Sequence, residues 1–161
     1  MNVYQSSIEA IYAGWCNYQD LLTTALALLA SEQLALQAAP RLRSIEAIAT
    51  HMIGARARWF ASPLGDGSKQ LAAFGRWDRR GGPVREAAEI VQGLQFTMDT
   101  IHTRIASWTP SEWLETMPGE EHEPPVITRQ WVIWHLIEHD LHHGGEISLT
   151  LGVHKLTAPD L

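Results

Sequence analysis

The sequence predicts an all-α fold: one four-helix bundle over residues 1–161, with long irregular connections between its second and third and its third and fourth helices. Four long segments repeat apolar residues at steps of three and four, no stretch sustains strand-like alternation, and two intervening stretches are rich in Gly and Pro. At 161 residues and 45% hydrophobic, the chain can build one core and is short for two. Helices of similar length with one apolar face each bury those faces best against one another.

The first helix is expected from about Ser7 to Ala30, with Ile8, Ile11, Trp15, Tyr18, Leu22, Ala25 and Leu29 forming one apolar stripe. Pro40 closes the next linker, and Ser44 can cap a second helix through Ile45, Ile48, Met52, Ala55 and Trp59 that ends before Pro63. Residues 62–83 hold five Gly among Ser, Asp, Lys and Arg and read as a long connection with one short helical turn around Leu71–Trp77. A third helix, Val84 to Ser107, repeats Ala87, Ile90, Val91, Leu94, Met98, Ile101 and Ile105, and Thr109-Pro110-Ser111-Glu112 then starts a short turn through Trp113. Residues 115–127, with Pro118, Gly119, four Glu and Pro124-Pro125, read as a second irregular connection. Thr128 can cap the last helix, which should end near Gly152.

Composition narrows the function classes. Net charge is −6 with His neutral, and Lys and Arg are scattered, which argues against nucleic acid or an anionic membrane as a partner. The single Cys16 excludes an internal disulfide framework and a cysteine-only zinc site, and suits a reducing cytoplasm. The N-terminus lacks the basic and apolar regions of a secretory signal, and the apolar run Leu21–Ala30 is about half a membrane span, so a cytoplasmic protein is expected.

The chemistry concentrates at His139-Asp140-Leu141-His142-His143. Four of the eight His, at 135, 139, 142 and 143, fall in the last helical segment. At about 100° per residue, His139 and His143 stack on one face, with Glu146 on the same face, His135 one turn before and His142 aside. Two imidazoles so placed can converge on one metal ion, and a third ligand must come from another helix. His51, flanked by Ile48 and Met52, is the His inside the second helix; a hydrogen-bonded core His is its other reading. Three neutral imidazoles suit Zn, Ni, Fe or Co and leave a coordination position open for water, a thiol or a substrate. Glu146 reads either as a base or fourth ligand beside the ion, or as the acceptor that orients one His ring. His139-Asp140-x-x-His143 also has the spacing of the metalloprotease signature, with Asp140 in the place of the general-base Glu. No third-ligand pattern of that type follows it.

Trp15 and Asn17, then Ser44-Ile45, His51 and Trp59, and then His139-Asp140-Leu141-His142-His143-Gly144-Gly145-Glu146-Ile147 resemble, in order and spacing, the DinB/YfiT-like family of metal-binding four-helix bundles. The likeness runs over essentially the whole chain. That family's last motif commonly reads His-Glu-x-His-His-Arg-Gly-Gln-Ile, so the ligands it implies are His51, His139 and His143. Asp140, Gly144 and Glu146 depart from it, and none of the three removes a ligand. Gly144-Gly145 costs roughly 1 kcal/mol of helix stability per Gly relative to Ala, which close approach of a neighbouring helix would explain. The resemblance implies a divalent metal, Zn or Ni first, a homodimer, and activities that range over low-molecular-weight-thiol S-transferases, a thiol-dependent isomerase and metal-dependent hydrolases.

The resulting expectation is a metal-dependent enzyme that activates a thiol or water for reaction with a small-molecule substrate. A non-catalytic bundle that binds a metal or small ligand in stress response is the alternative, and a hydrolase the lesser one. Trp131 and His135, on the side of the last helix that approaches His139, are candidates to line a substrate cavity. Trp15, Trp59 and Trp134 read as core or pocket wall and Cys16 as buried and inert. Arg76, Asp78, Arg79 and Arg80 read as a solvated run that would hold an anion only if the loop folds over the site. His102, His122 and His154 are expected at the surface.

Overall fold

Four long helices carry the apolar periodicities in the computed structural model, which describes residues 3–61, 63–65, 68–119 and 123–159, with side chains from residue 10 onward. The side chain of Ile8 and all of His122 lie outside the described residues. In chain order the elements are α1 (Val3–Ala27), α2 (Ser31–Leu34), α3 (Ile45–Ala61), α4 (Lys69–Phe74), α5 (Ala87–Ser107), α6 (Pro110–Trp113), β1 (Thr116–Pro118), β2 (Val126–Thr128) and α7 (Arg129–Val153). None of these helices is long and apolar enough to cross a membrane.

The long helices begin where a polar side chain can satisfy their first amide groups. Ser44 Oγ accepts from the Ala47 N–H at 3.1 Å and Thr128 Oγ1 from the Trp131 N–H at 3.2 Å. The third long helix starts at Ala87 and not at Val84, because the Glu89 carboxylate accepts from the Glu86 N–H and fixes the first turn there. The first long helix ends at Ala27, and Ser31–Leu34 form a separate turn.

The mostly helical fold has α3 at its centre, packed against α7, α5 and α4, while α1 packs on α5. Leu22 and Leu26 from α1, Met52, Ile53 and Phe60 from α3, Leu94 and Ile101 from α5, and Leu136, Ile147 and Leu151 from α7 meet in one core. Each such side chain contributes about 1.5–3 kcal/mol over leaving it in water. Ile11, expected in the stripe, is 58% exposed, while its neighbour Tyr12 places its ring 6.1 Å from that of Trp113. Trp134 is likewise exposed and belongs neither to the core nor to a pocket wall.

The stretch 115–127 departs from the expected irregular connection. Thr116–Pro118 pair antiparallel with Val126–Thr128, with Met117 opposite Ile127. Ile127 is 2% exposed, so one buried side chain gives this short hairpin a reason to close despite its Pro and Gly.

The two glycines of α7 differ in what surrounds them. A Cβ at Gly144 would lie 1.8 Å from the Tyr18 hydroxyl of α1, whereas one at Gly145 would meet nothing within 4 Å. Gly144 therefore makes room for the Tyr18 side chain of α1 and not for a closely packed helix backbone, and Gly145 has no such reason. Gly145→Ala is expected to stabilise the fold by about 1 kcal/mol from helix propensity alone. Gly144→Ala is expected to destabilise it, because the buried Tyr18 ring has to move. Urea midpoints of the two variants should move in opposite directions.

Candidate metal centre

Helix α7 turns His139 and His143 toward α3, and α3 turns His51 toward them, so the helix pair with the broadest contact in the fold carries the cluster. One ring nitrogen from each of the three His lies within 4.8 Å of the other two. His51 Nε2 and His139 Nε2 are 3.2 Å apart, and the His139 and His143 ring centroids are 4.4 Å apart. The His51 ring stands 4.9 Å from that of His143.

Two of the rings are held from behind by carboxylates. His51 Nδ1 lies 2.8 Å from Asp78 Oδ2, and His143 Nδ1 lies 2.6 Å from Glu146 Oε2. A neutral ring whose Nδ1–H donates to a carboxylate keeps its lone pair on Nε2, which is the arrangement that prepares His for a metal. Asp78 is itself gripped by Arg58, whose guanidinium donates at 2.7 and 3.0 Å to its two oxygens and also to the Gly75 carbonyl. Burial raises the pKa of Asp78, but the hydrogen bonds from Arg58 and His51 outweigh it and hold the carboxyl below its ordinary value. Gly54, one turn beyond His51, makes this packing possible: a Cβ there would lie 2.8 Å from Arg58 Nη1 and 2.9 Å from Asp78 Oδ1.

The cluster is electrically suited to a cation. Desolvation, followed by the neighbouring His143, His51 and His135, drives the pKa of His139 down to about 3. Desolvation also lowers that of His143, against the opposing pull of Glu146. Both rings are therefore neutral near pH 7. Two imidazole Nε2 atoms 3.2 Å apart require either a proton on one of them or a cation that both lone pairs face. His139 Nδ1 is buried without a hydrogen-bond partner among the described residues, so packing rather than a carboxylate sets the orientation of that ring. Three neutral imidazoles, two of them backed by carboxylates, fit a borderline ion such as Zn or Ni.

His51 and His139 form part of the wall of a cavity of about 760 Å³, within the range of small-molecule sites. Trp59, His135, Arg58, Arg76 and Arg79 also line it. A smaller depression of about 360 Å³, beside Phe96 and Arg104, holds none of the histidines. Of the two expected pocket residues, His135 lines the cavity. Trp131 stands behind it, stacked on the His135 ring at 5.1 Å and edge-on to Trp59 at 6.0 Å.

Asp140 is no general base. It is fully buried about 100° around α7 from His139, and its carboxylate is engaged by Trp15 Nε1, which donates at 2.7 Å, and by Arg56 Nη2, which donates at 2.6 Å, so it is committed to the core and not to an ion held by His139. One position along a helix turns a side chain by about 100°, so neighbours such as His139 and Asp140 serve different environments. Asp78 also departs from the solvated run in which it was expected, since Trp77 and Asp78 are folded down while Arg76, Arg79 and Arg80 remain exposed. Neither the Asp78 contact nor the buried Arg56 is signalled by local spacing. The polar residue Arg56 in an otherwise apolar stretch of α3 was the available hint. Cys16 is half-buried and takes no part in the cluster; desolvation, then Asp20, raises its thiol pKa and keeps it protonated. His102 and His154 are exposed.

Comparison with known proteins agrees with this architecture. None of the curated proteins matches the chain. Among solved structures, the crystal structure of a DinB-like protein from Bacillus cereus ATCC 10987 superposes with a TM-score of 0.70 at 20% sequence identity, covering 96% of this chain and 97% of that one. At that identity the likeness speaks for the fold. The sequence model of the DinB superfamily matches residues 17–147, a span that includes all three clustered histidines, the C-terminal part of α1 and the whole of α3 and α5. The protein therefore belongs to the DinB superfamily.

Proposed function

We propose that the protein is a metal-dependent enzyme that holds one divalent ion, Zn or Ni, at His51, His139 and His143 and acts on a small molecule with a low-molecular-weight thiol, as an S-transferase does. In this reading the four long helices form a four-helix bundle with the ion near one end. The observation that carries it is the convergence of three ring nitrogens within 4.8 Å on the wall of a cavity, with carboxylates behind two of the rings. An ion bound there supplies a lowered pKa for a thiol or water that it coordinates.

The chain's own residues do the remainder. Asp78 and Glu146 take the Nδ1 protons of His51 and His143 and fix those rings. Glu146 is thereby assigned as the acceptor that orients His143, not as the base. Trp59 and His135 present apolar and aromatic surface to the organic part of a substrate and limit water in the cavity. The cavity meets His51 and His139 directly, which favours catalysis over the closed site of a sequestering protein.

The test is elemental analysis of tag-free protein prepared without chelator, before and after reconstitution with Zn or Ni. About one equivalent per chain supports the proposal and justifies assays of thiols with electrophilic acceptors. No bound metal after reconstitution overturns it.

A further inference from the structure

We propose that the cavity takes an organic acid, whose carboxylate is held by Arg76 and Arg79 while the rest of the molecule reaches toward the histidine cluster. The inference rests on the reading of that cluster as the metal centre, and deepens it by naming the ligand class.

The two arginines are placed by a rigid segment. After α4 the chain turns through successive i to i−3 hydrogen bonds, Arg76 N to Ala73 O, Trp77 N to Phe74 O and Arg79 N to Arg76 O. In such turns, side chains three apart lie on one side, so Arg76 and Arg79 project together. The residues between them anchor the segment. The Trp77 ring packs 4.7 Å from Phe74 and beneath the Arg85 guanidinium, and Asp78 is tied to both Arg58 and His51. The contact that orients a clustered His therefore also holds the arginine pair at the cavity.

Charge at the cavity supports an anion. Arg58 is neutralised by Asp78, whereas neither Arg76 nor Arg79 has an ion pair among the described residues. Glu123 is the carboxylate among the described lining residues, which leaves two positive side chains against one negative before any ion is counted. This local surplus stands in a chain of net charge −6, so it is not a by-product of a basic surface. Paired guanidinium groups suit the planar, two-oxygen face of a carboxylate.

The probe pair is N-acetylcysteine and its neutral amide, which differ in the carboxylate alone. Both are titrated calorimetrically into wild type and the Arg76→Gln/Arg79→Gln variant, each with metal and after chelator treatment, with metal content recorded. The acid is expected to bind wild type about tenfold or more tightly than the amide, and the variant is expected to lose that preference while keeping its metal. Equal binding of acid and amide to wild type in both forms overturns the inference, as does a preference that survives in the variant. Because the metal-free arm reads the carboxylate preference by itself, a protein that binds no metal still decides the arginine assignment. Metal content decides the centre separately.

Discussion

Arg56→Met is expected to destabilise the metal-free protein by about 3–5 kcal/mol, because it leaves the Asp140 charge buried without its partner. Arg56 is 1% exposed and Asp140 0%, so neither can turn to water for compensation. The guanidinium donates to both Asp140 oxygens, to Gln19 Oε1 at 2.7 Å and to the Leu94 carbonyl at 3.2 Å. Arg56 stands on α3 and touches α1, α5 and α7, so one side chain fixes the four long helices relative to each other. Removing both charges is a different experiment. Arg56→Met/Asp140→Leu replaces the pair by apolar volume and is expected to recover much of the loss, less what the orphaned Trp15 N–H and Gln19 side chain cost. Urea unfolding of the two variants and wild type decides it. A single variant within about 1 kcal/mol of wild type would show that the pair contributes no more than an exposed one.

Ala at His51, His139 or His143, one at a time, is expected to weaken metal binding by more than about 100-fold, beyond the 10–100-fold typical of losing an outer hydrogen-bond partner. Removing any one donor leaves two nitrogens where the ion requires three from the protein. Asp78→Asn is the graded control: its ligands are intact, but the charge that fixes the His51 tautomer is gone, and the expected loss is at least about tenfold. Glu146→Gln should cost less, since that carboxylate is 43% exposed and water can take its place on His143 Nδ1. Competition against a chromophoric chelator measures each affinity, with circular dichroism to confirm helix content. A His→Ala variant that binds like wild type would remove that residue from the centre.

The last helix shows how far periodicity reaches. Its cap at Thr128, its length and the shared face of His139 and His143 follow from residue spacing, because an α-helix repeats every 3.6 residues whatever surrounds it. Ser44 and the apolar positions of α3 follow for the same reason. The hairpin at 116–128 escapes that logic: three-residue strands are too short to show alternation, and their pairing depends on Ile127 finding the core.

By itself the sequence determined the long helices, the single cysteine, and which face of α7 carries the histidines. Local geometry sets the helices and their faces, and composition the cysteine count. The tertiary structure brings His51 to that face, as the family resemblance implied, and it alone decided that Asp78 leaves a charged loop to hold His51 and that Asp140 belongs to Arg56 and Trp15. Each is a contact between residues 27 to 125 positions apart, and no local period encodes which distant charges a folded core brings within 3 Å.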